Sequence, residues 1–272
     1  MLRSGLQEGV PYSLSRWTDI PGSTGKWQQF EQWLAHGQML AFDPRTGVPS
    51  RWSLRPSETC GLVFWTKDPR NLIAAQLRLE PYNVAVHVTA TGWEEVEKGA
   101  PSMEDAGRLL IETSKAFQRV YWRFSPIPLL PDWVVLERFR ILSGYAAQAG
   151  IKSVFCSFLQ PNDRIPETRT VEQRFALLNE MADDAAKLGI RVELCRDDLS
   201  FMGRDAKFQT SICVPAQDFP TSSAYERCGC VLMVDPYTIN EACSFGCQYC
   251  YAADQELSAK KRNSLKGLKV IR

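Results

Sequence analysis

The sequence contains very little histidine and no long apolar run. Among its 272 residues the only histidines are His36 and His87, so a zinc site of mixed Cys and His ligands has few histidines to draw on. The longest apolar stretches, such as 61–65 and 231–234, fall well short of the roughly 20 residues that cross a bilayer. The first residues also lack the apolar segment of a secretory signal. These absences predict a protein of the reducing cytoplasm with no membrane contact.

The chain has almost no net charge. Lys and Arg together number 32 and Asp and Glu 31, so a nucleic-acid substrate would have to bind in a local groove rather than through a general positive field. No internal repeat, low-complexity tract or Gly/Ser-rich linker divides the sequence. We therefore expect residues 1–272 to form a single domain.

Cysteine, by contrast, is abundant, with nine in the chain. Three of them, Cys243, Cys247 and Cys250, are spaced C-x3-C-x2-C in EACSFGCQYCYA, residues 241–252, called here the cysteine loop. In a reducing compartment, clustered thiols bind metal more often than they form disulfides. Structural zinc usually takes four ligands, whereas three thiolates suit a [4Fe–4S] cluster with one iron left for another molecule. The alternatives are a zinc-stapled module that binds nucleic acid or protein, a simple electron-transfer iron–sulfur protein, and disulfide bonding.

Short apolar runs alternate with helix-period segments along most of the chain. Strands are predicted at 11–15, 39–42, 61–66, 83–89, 120–124, 152–158, 190–194 and 231–235. Helices are predicted around 27–34, after the N-cap Ser102, and over 133–148 and 171–188, with Gly150 and Gly189 at their C-termini. This alternation predicts a parallel sheet with helical crossovers, and a closed (β/α)8 barrel is the simplest architecture with eight strands. An open doubly wound sheet is the alternative.

Polar side chains at the ends of the predicted strands are the candidates for a site, because chemistry in a parallel barrel collects there. The charged candidates, proposed as catalytic, are Arg16, Asp19, Lys67 and Arg123. They could hold a carboxylate or phosphate, or form ion pairs within the barrel mouth. The hydroxyl candidates for cofactor binding are Ser15, Thr66 and Ser157. A surface on which a base could stack is offered by Trp17, Trp65, Trp93 and Trp122, which could equally belong to the core.

Six cysteines lie outside the cysteine loop. Cys60 and Cys156 fall within apolar strands and are predicted to be buried core residues. The long connection 195–230 contains a full ligand set for a second iron–sulfur cluster or a zinc ion, formed by Cys195, Cys213, Cys228 and Cys230. Structural or free thiols are the alternative for these four.

The cysteine loop resembles the motif of the radical S-adenosylmethionine (SAM) enzymes, which is C-x3-C-x2-C with an aromatic residue before the last cysteine. The resemblance implies that Cys243, Cys247 and Cys250 ligate a [4Fe–4S] cluster whose open iron is chelated by SAM. It further implies that Tyr249 lies near the adenine and that Gly246 gives the loop room to turn. The implied activity is reductive cleavage of SAM to a 5′-deoxyadenosyl radical that abstracts hydrogen, with electrons from a donor such as a flavodoxin.

The segments SRWTDIP, VFWTKDP and WRFSPI, together with the C-terminal CSFGCQYCYA, resemble a family of largely uncharacterised bacterial and phage proteins that carry this motif. The chain departs from that pattern at Trp17, Asp68, Ser125 and Ala253, so its substrate transfers less well than its cofactor. Some phage proteins of this kind are linked to thymidine hypermodification in DNA. That link implies an aminomutase or isomerase acting on an amino-acid-modified thymidine, with a small metabolite or a peptide as the alternative substrate.

The position of the motif predicts a circular permutation. Radical SAM enzymes usually carry it after the first barrel strand, whereas here it follows the last predicted strand, 231–235. That strand would then take the first place in the barrel and 11–15 the second, which is feasible when the ends of a domain lie close together. A helix over 255–269, rich in Lys and Arg, would follow the loop, and its basic side chains could be solvated or could contact phosphates.

Overall fold

The computed structural model describes residues 11–15, 18–42, 49–159, 168–195, 201, 204–219, 224–225, 229–236, 243, 245–250 and 270–271. Its helices are α1 (Thr24–His36), α2 (Arg70–Ala74), α3 (Gln76–Leu79), α4 (Met103–Ala116), α5 (Asp132–Gln148) and α6 (Val171–Ala186). Its strands are β1 (Tyr12–Ser13), β2 (Gln38–Phe42), β3 (Pro49–Ser53), β4 (Leu62–Thr66), β5 (Val84–Thr89), β6 (Val120–Ile127), β7 (Ser153–Phe158), β8 (Arg191–Cys195), β9 (Gln209–Ser211), β10 (Ala224–Tyr225), β11 (Asp235–Pro236) and β12 (Val270–Ile271).

The centre of the described structure is a parallel sheet of seven strands in the order β1-β4-β5-β6-β7-β8-β9. Every neighbouring pair in it runs parallel. Helices link each strand to the next from β4 to β8, as the alternation in the sequence predicted. The near-continuous apolar sequence of β4 and β5 fits strands that are buried on both faces. The protein is thus a mixed α/β structure built on a parallel sheet.

The predicted strand at 39–42 forms, but it lies outside the parallel sheet. It is β2, which pairs antiparallel with β3 and with β11. Only residues 43–48 separate β2 from β3, and parallel neighbours would need a crossover of about a dozen residues. The sheet instead contains β9, which was not predicted from the sequence and which lies beside β8. The described strands do not close into a barrel ladder, so the predicted closed barrel is not established.

The segment 231–234 lies beside β1. Tyr12 and Val234 form a parallel bridge. The Ser13 amide donates to the Val234 carbonyl oxygen at 2.8 Å, and the Val234 amide donates to the Pro11 carbonyl oxygen at 3.0 Å. At the other end of the segment, the Val231 amide donates to the Val214 carbonyl oxygen at 3.0 Å, shortly after β9. The residues that lead into the cysteine loop are therefore next to the first strand of the sheet.

The two faces of the parallel sheet are covered by different parts of the chain. One face packs on the helices, and its large fully buried rings include Phe64, Trp122 and Phe124, with Trp122 stacked on Phe139 of α5 at 5.5 Å between ring centroids. The opposite face, called here the inner face, carries Val63 and Ala85. It packs on residues of the connection after β9, namely Val214, Phe219, Val231, Leu232 and Met233.

The helix ends follow signals that the sequence contains. The Ser102 hydroxyl accepts a hydrogen bond from the Asp105 amide at 3.2 Å and so caps α4. Thr170 and Gln173 form a capping box at the start of α6. Gly150 and Gly189, predicted to follow helices, have φ of 74° and 70°. None of the helices in the described part of the chain is long and apolar enough to cross a membrane.

Candidate functional site

A buried carboxylate, Asp19, lies at the carboxyl ends of β1 and β4. Its Oδ1 accepts a hydrogen bond from the Gly22 amide at 2.9 Å, and its Oδ2 accepts one from the Lys67 amide at 2.7 Å. Burial raises the pKa of Asp19 to about 6, although the backbone donors and the Thr66 hydroxyl lower it in part. Three predicted site residues, Asp19, Thr66 and Lys67, are thus brought together, and Asp19 ties the segment after β1 to the end of β4.

Glu97 is the centre of a second group of contacts, called here the Glu97 cluster. Its side chain is only 2% exposed. Its Oε1 lies 2.8 Å from Lys67 Nζ and accepts a hydrogen bond from the Tyr249 hydroxyl, while its Oε2 accepts one from Thr91 Oγ1 at 2.9 Å. Lys67 Nζ also lies 3.4 Å from the Tyr249 hydroxyl. A buried acid is therefore paired with a lysine and holds the aromatic residue of the cysteine loop.

Glu97 was not predicted as a site residue, because nothing in the sequence distinguishes it from its neighbours Glu94 and Glu95. Only the fold separates them, since Glu94 and Glu95 are exposed and Glu97 is buried. The available signal was position: these acids follow strand β5 closely, as Asp19 follows β1 and Lys67 follows β4. The carboxyl ends of neighbouring parallel strands lie at one edge of the sheet.

The cysteine loop is docked on this edge by backbone hydrogen bonds as well. The Gly99 amide donates to the Phe245 carbonyl oxygen at 3.0 Å, and the Gln248 amide donates to the Val96 carbonyl oxygen at 2.9 Å. The Phe245 ring is buried over Gly22, where an added Cβ would come within 2.3 Å of the ring. Glycine is required at position 22 by this close approach.

The cysteine loop is turned by Gly246 and by a hydrogen bond between its last two cysteines. Gly246 has φ of 55°, the left-handed conformation that glycine adopts without strain, and the Cys250 amide donates to the Cys247 carbonyl oxygen at 3.0 Å. Burial above all raises the pKa of Cys247 to about 12, with smaller contributions from Glu97, Cys250 and Cys243 and an opposing one from Lys67. Burial also raises the pKa of Cys243, with a contribution from Cys250. The charge of one thiolate thus disfavours the ionisation of the others.

The donor set of the cysteine loop fits an iron–sulfur cluster in number and kind. A cluster that keeps one iron open takes three protein thiolates, which this loop could supply. Because thiolates repel each other, iron bound between them would stabilise their charged form. Within the residues described, no three His, Cys, Asp or Glu side chains are already arranged around a metal position. Metal binding would therefore draw the thiols together from their present positions.

The inner face of the sheet carries further predicted site residues. The hydroxyls of Ser125 and Ser157 are hydrogen bonded to each other at the ends of β6 and β7. Arg123 is half-buried two residues before Ser125. The Oγ of Ser15 is buried and has no hydrogen-bond partner in the described structure. Arg123, Ser15 and Ser157 thus share the inner face but have no described contact with the cysteine loop, and Arg16 lies outside the described residues.

His87 is a buried side chain in the middle of β5. Its ring is stacked between Trp65 and Tyr121, with centroids 5.4 and 4.8 Å away. In the described part of the chain neither ring nitrogen has a hydrogen-bond partner. Burial lowers the pKa of His87 to about 3, and the nearby Arg123 lowers it as well. His87 is therefore neutral at physiological pH.

Two of the four tryptophans suggested for a stacking surface, Trp93 and Trp122, are core residues instead. Trp93 and Trp122 are 1% and 0% exposed, and their indole nitrogens donate to the carbonyl oxygens of Pro126 and Ala90. They are core residues because the strand ends that carry them are covered by helices. Trp17 lies outside the described residues, and Trp65 is packed against His87.

Two of the four cysteines suggested for a second metal site lie together. The Sγ atoms of Cys213 and Cys230 are 3.4 Å apart. Cys195 ends β8, but its side chain, like the whole of Cys228, is outside the described part of the chain. Cys60 and Cys156 are buried, as predicted for core residues. The predicted helix at 255–269 and its basic side chains also lie outside the described residues.

Fold and site define an α/β protein with a cysteine loop docked at the carboxyl edge of a parallel sheet. Residues 12–252 match the family described as a domain of unknown function, DUF1848, and the chain belongs to this family. The match covers nearly the whole chain, from β1 through the cysteine loop. Neither a curated protein nor a solved structure matches the chain.

Proposed function

We propose that this protein is a radical SAM enzyme whose [4Fe–4S] cluster is held by Cys243, Cys247 and Cys250. The observation that carries the proposal is a loop with three cysteines that is docked through Tyr249 on the Glu97 cluster at the carboxyl edge of a parallel sheet. Ligand and catalytic residues of parallel α/β proteins collect at this edge. When bound, the cluster supplies the electron that cleaves SAM and yields a 5′-deoxyadenosyl radical.

The side chains around the loop have distinct roles in this proposal. Burial raises the pKa of Cys247, and Lys67 partly offsets this effect and so favours the thiolate, which is the form that ligates iron. Glu97 orients Tyr249, the aromatic residue expected beside the adenine, through the hydrogen bond to its hydroxyl. Phe245, buried over Gly22, excludes water from one side of the loop. Asp19 fixes the backbone of Lys67.

A permuted barrel is the architecture that we propose for this site. The bridge between Tyr12 and Val234 supports it, because the segment before the cysteine loop then precedes β1 in the order of the sheet. The hydrogen bond between Val231 and Val214 supports it too, since the same segment approaches the residues after β9. In such a barrel the inner face would enclose the substrate.

For the substrate, the resemblance supports a thymidine of DNA that carries an amino acid, rearranged by an aminomutase or isomerase reaction. The protein would work in the cytoplasm and receive electrons from a donor such as a flavodoxin. Deuterium transfer into 5′-deoxyadenosine from labelled candidate nucleosides or modified DNA tests the substrate. Transfer from a small metabolite or peptide instead would replace this part of the proposal.

The test of the activity is an anaerobic assay on the reconstituted full chain. With dithionite and SAM, the wild type is expected to form 5′-deoxyadenosine. Cys247→Ala should form none, whereas the control Cys60→Ala, which changes a buried cysteine outside the loop, should retain it. Colourless protein with stoichiometric zinc would support a zinc-stapled module instead. A cluster whose spectrum does not respond to SAM would support simple electron transfer, and product from Cys247→Ala would refute the ligand assignment.

A further inference from the structure

The inner face of the parallel sheet carries a row of polar side chains near the carboxyl ends of its central strands. Trp65, His87 and Tyr121 lie in register across β4, β5 and β6. Two residues further along these strands, Thr89 and Arg123 lie in register on the same face, because side chains two apart on a strand share a face. Arg123 thus stands next to the ring stack, on its carboxyl side.

Among the described residues, the charge of Arg123 has no partner. The side chain is half-buried, and none of the hydrogen bonds or ion pairs in the described structure involves it. The nearest acid in its row is Glu193 on β8, which is separated from it by Phe155 on β7. Glu193 instead lies 3.6 Å from Arg191. A guanidinium that is partly removed from water usually has an anion as its partner.

His87, a buried polar ring one row below Arg123, also lacks a hydrogen-bond partner among the described residues. The His87 side chain is 0% exposed, and neither of its ring nitrogens has a hydrogen-bond partner in the described residues. Buried polar groups of native proteins are nearly always hydrogen bonded, so His87 and the Arg123 guanidinium one row above it favour an absent partner on this face.

We propose that the inner face binds the anionic group of the substrate, a carboxylate or a phosphate, with Arg123 as its counter-ion. The planar guanidinium can donate two parallel hydrogen bonds to either group. The hydroxyls of Ser125 and Ser157, which are hydrogen bonded to each other close to Arg123, are the neutral donors of this site. His87 lies one row below, buried between Trp65 and Tyr121. The assignment of the anion to the substrate rests on the proposed function, whereas the anion site itself requires no cluster.

The anion belongs to the substrate rather than to SAM because of where Arg123 lies. In the described structure the cysteine loop contacts Asp19, Gly22, Lys67 and residues 95–99, which follow β1, β4 and β5. Arg123 is on β6, and the two serines are on β6 and β7. The anion site is thus displaced across the sheet from the loop that would hold SAM.

The test is a thermal-unfolding measurement on the full chain in phosphate, acetate or chloride at equal ionic strength. Phosphate or acetate at about ten times its Kd is expected to raise the midpoint by about 3 °C over chloride. The anion that gives the larger rise in the unfolding midpoint shows whether the site prefers a phosphate or a carboxylate. Arg123→Gln should abolish the rise, whereas the control Arg78→Gln, which changes an exposed arginine paired with Glu31, should retain it. An equal rise in Arg123→Gln, or no rise in the wild type with either anion, overturns the proposal.

Two further arms keep the test decisive. If Arg123→Gln does not fold, Arg123→Lys replaces it and is expected to lose most of the rise, because an ammonium cannot donate the paired hydrogen bonds. If the wild-type rise survives in the reconstituted protein saturated with SAM, the anion site is separate from SAM; its loss would assign Arg123 to the SAM carboxylate and overturn the proposal. Failure of SAM cleavage alone would contradict the proposed function and leave the anion rise unchanged.

Discussion

At the scale of single residues, burial decides which charges belong to the site. The Glu95 side chain is 53% exposed in its pair with Arg138, whereas that of Glu97, two residues later, is 2% exposed in its pair with Lys67. A surface ion pair contributes little to stability, but removal of one partner from a buried pair leaves an uncompensated charge. Lys67 is 13% exposed in its pair with Glu97, so its charge depends on that carboxylate.

We therefore predict that Glu97→Gln lowers the free energy of unfolding by about 3 kcal/mol. It should also reduce the iron bound after reconstitution, because Tyr249 loses the carboxylate that holds it. The matched control is Glu95→Gln, for which we expect a loss below about 1 kcal/mol and full iron content. Denaturant unfolding and iron analysis measure the two effects, and equal results for the two variants would contradict the assigned role of Glu97.

His87 gives a prediction about pH. Burial lowers the pKa of His87 from 6.5 to about 3 in the folded state. Between these two pH values the unfolded chain binds a proton at His87 and the folded chain does not. The stability from this residue is present above pH 6.5 and is lost as the pH falls towards 3. Between neutral pH and one unit below the unfolded pKa, the loss is about 1.4 kcal/mol.

His87→Asn should remove this loss and leave the rest of the acid sensitivity in place. Urea unfolding at neutral pH and at one pH unit below the unfolded pKa measures the free energy of unfolding in the wild type and in both histidine variants. His36→Asn is the matched control, because His36 is exposed at the end of α1 and the variant retains His87. If His87→Asn kept the full wild-type dependence on pH, the neutral buried histidine would be ruled out.

At the scale of elements, the cysteine loop depends on the turn after β1. A Cβ at position 22 would lie 2.3 Å from the Phe245 ring and 3.1 Å from Asp19 Cγ. We predict that Gly22→Ala displaces Phe245 and costs about 1–3 kcal/mol by overpacking, with a clear drop in iron binding. Gly144→Ala on α5, where nothing lies within 4 Å, should instead be neutral or stabilising by up to about 1 kcal/mol. Full iron binding by Gly22→Ala would show that the loop does not rest on this contact.

The sequence predicted elements better than it predicted their neighbours. Helices α1, α5 and α6 and the strands from β4 to β8 were found from periodicity, capping residues and apolar runs, which act within a few residues of each other. The antiparallel pairing of β2 was not predicted, because residues 38–42 are equally suited to a hairpin and to a parallel sheet. Strand β9 was missed because Gln209–Ser211 is short and polar, and its place depends on the edge of β8.

The candidate site divides in the same way. The spacing of Cys243, Cys247 and Cys250 and the strand-end positions of Asp19 and Lys67 could be read from the sequence. Glu97 could not, since its importance lies in contacts with residues 30 or more positions away, on β4 and in the cysteine loop. Local pattern identifies candidates, and only the tertiary fold shows which of them meet.

At the scale of the whole molecule, the loop links distant parts of the chain, so ligand binding should stabilise the entire fold. A ligand that binds only the folded state raises its stability by mass action. We predict that anaerobic reconstitution raises the unfolding midpoint of the wild type by several degrees, in the order of 5 °C. Cys247→Ala should show no such rise, and calorimetry under argon measures it. An unchanged midpoint in an iron-loaded wild type would mean that the metal is bound elsewhere or without coupling to the fold.

The bridge between Tyr12 and Val234 has a consequence for biosynthesis. The neighbour that covers the open edge of β1 is synthesised only after more than two hundred further residues have been added. Until then the nascent chain presents an uncovered strand. Under the proposed function, the cluster could be inserted only after this neighbour and the cysteine loop that follows it have been synthesised, so a chain interrupted between them would have neither a covered edge nor a cluster.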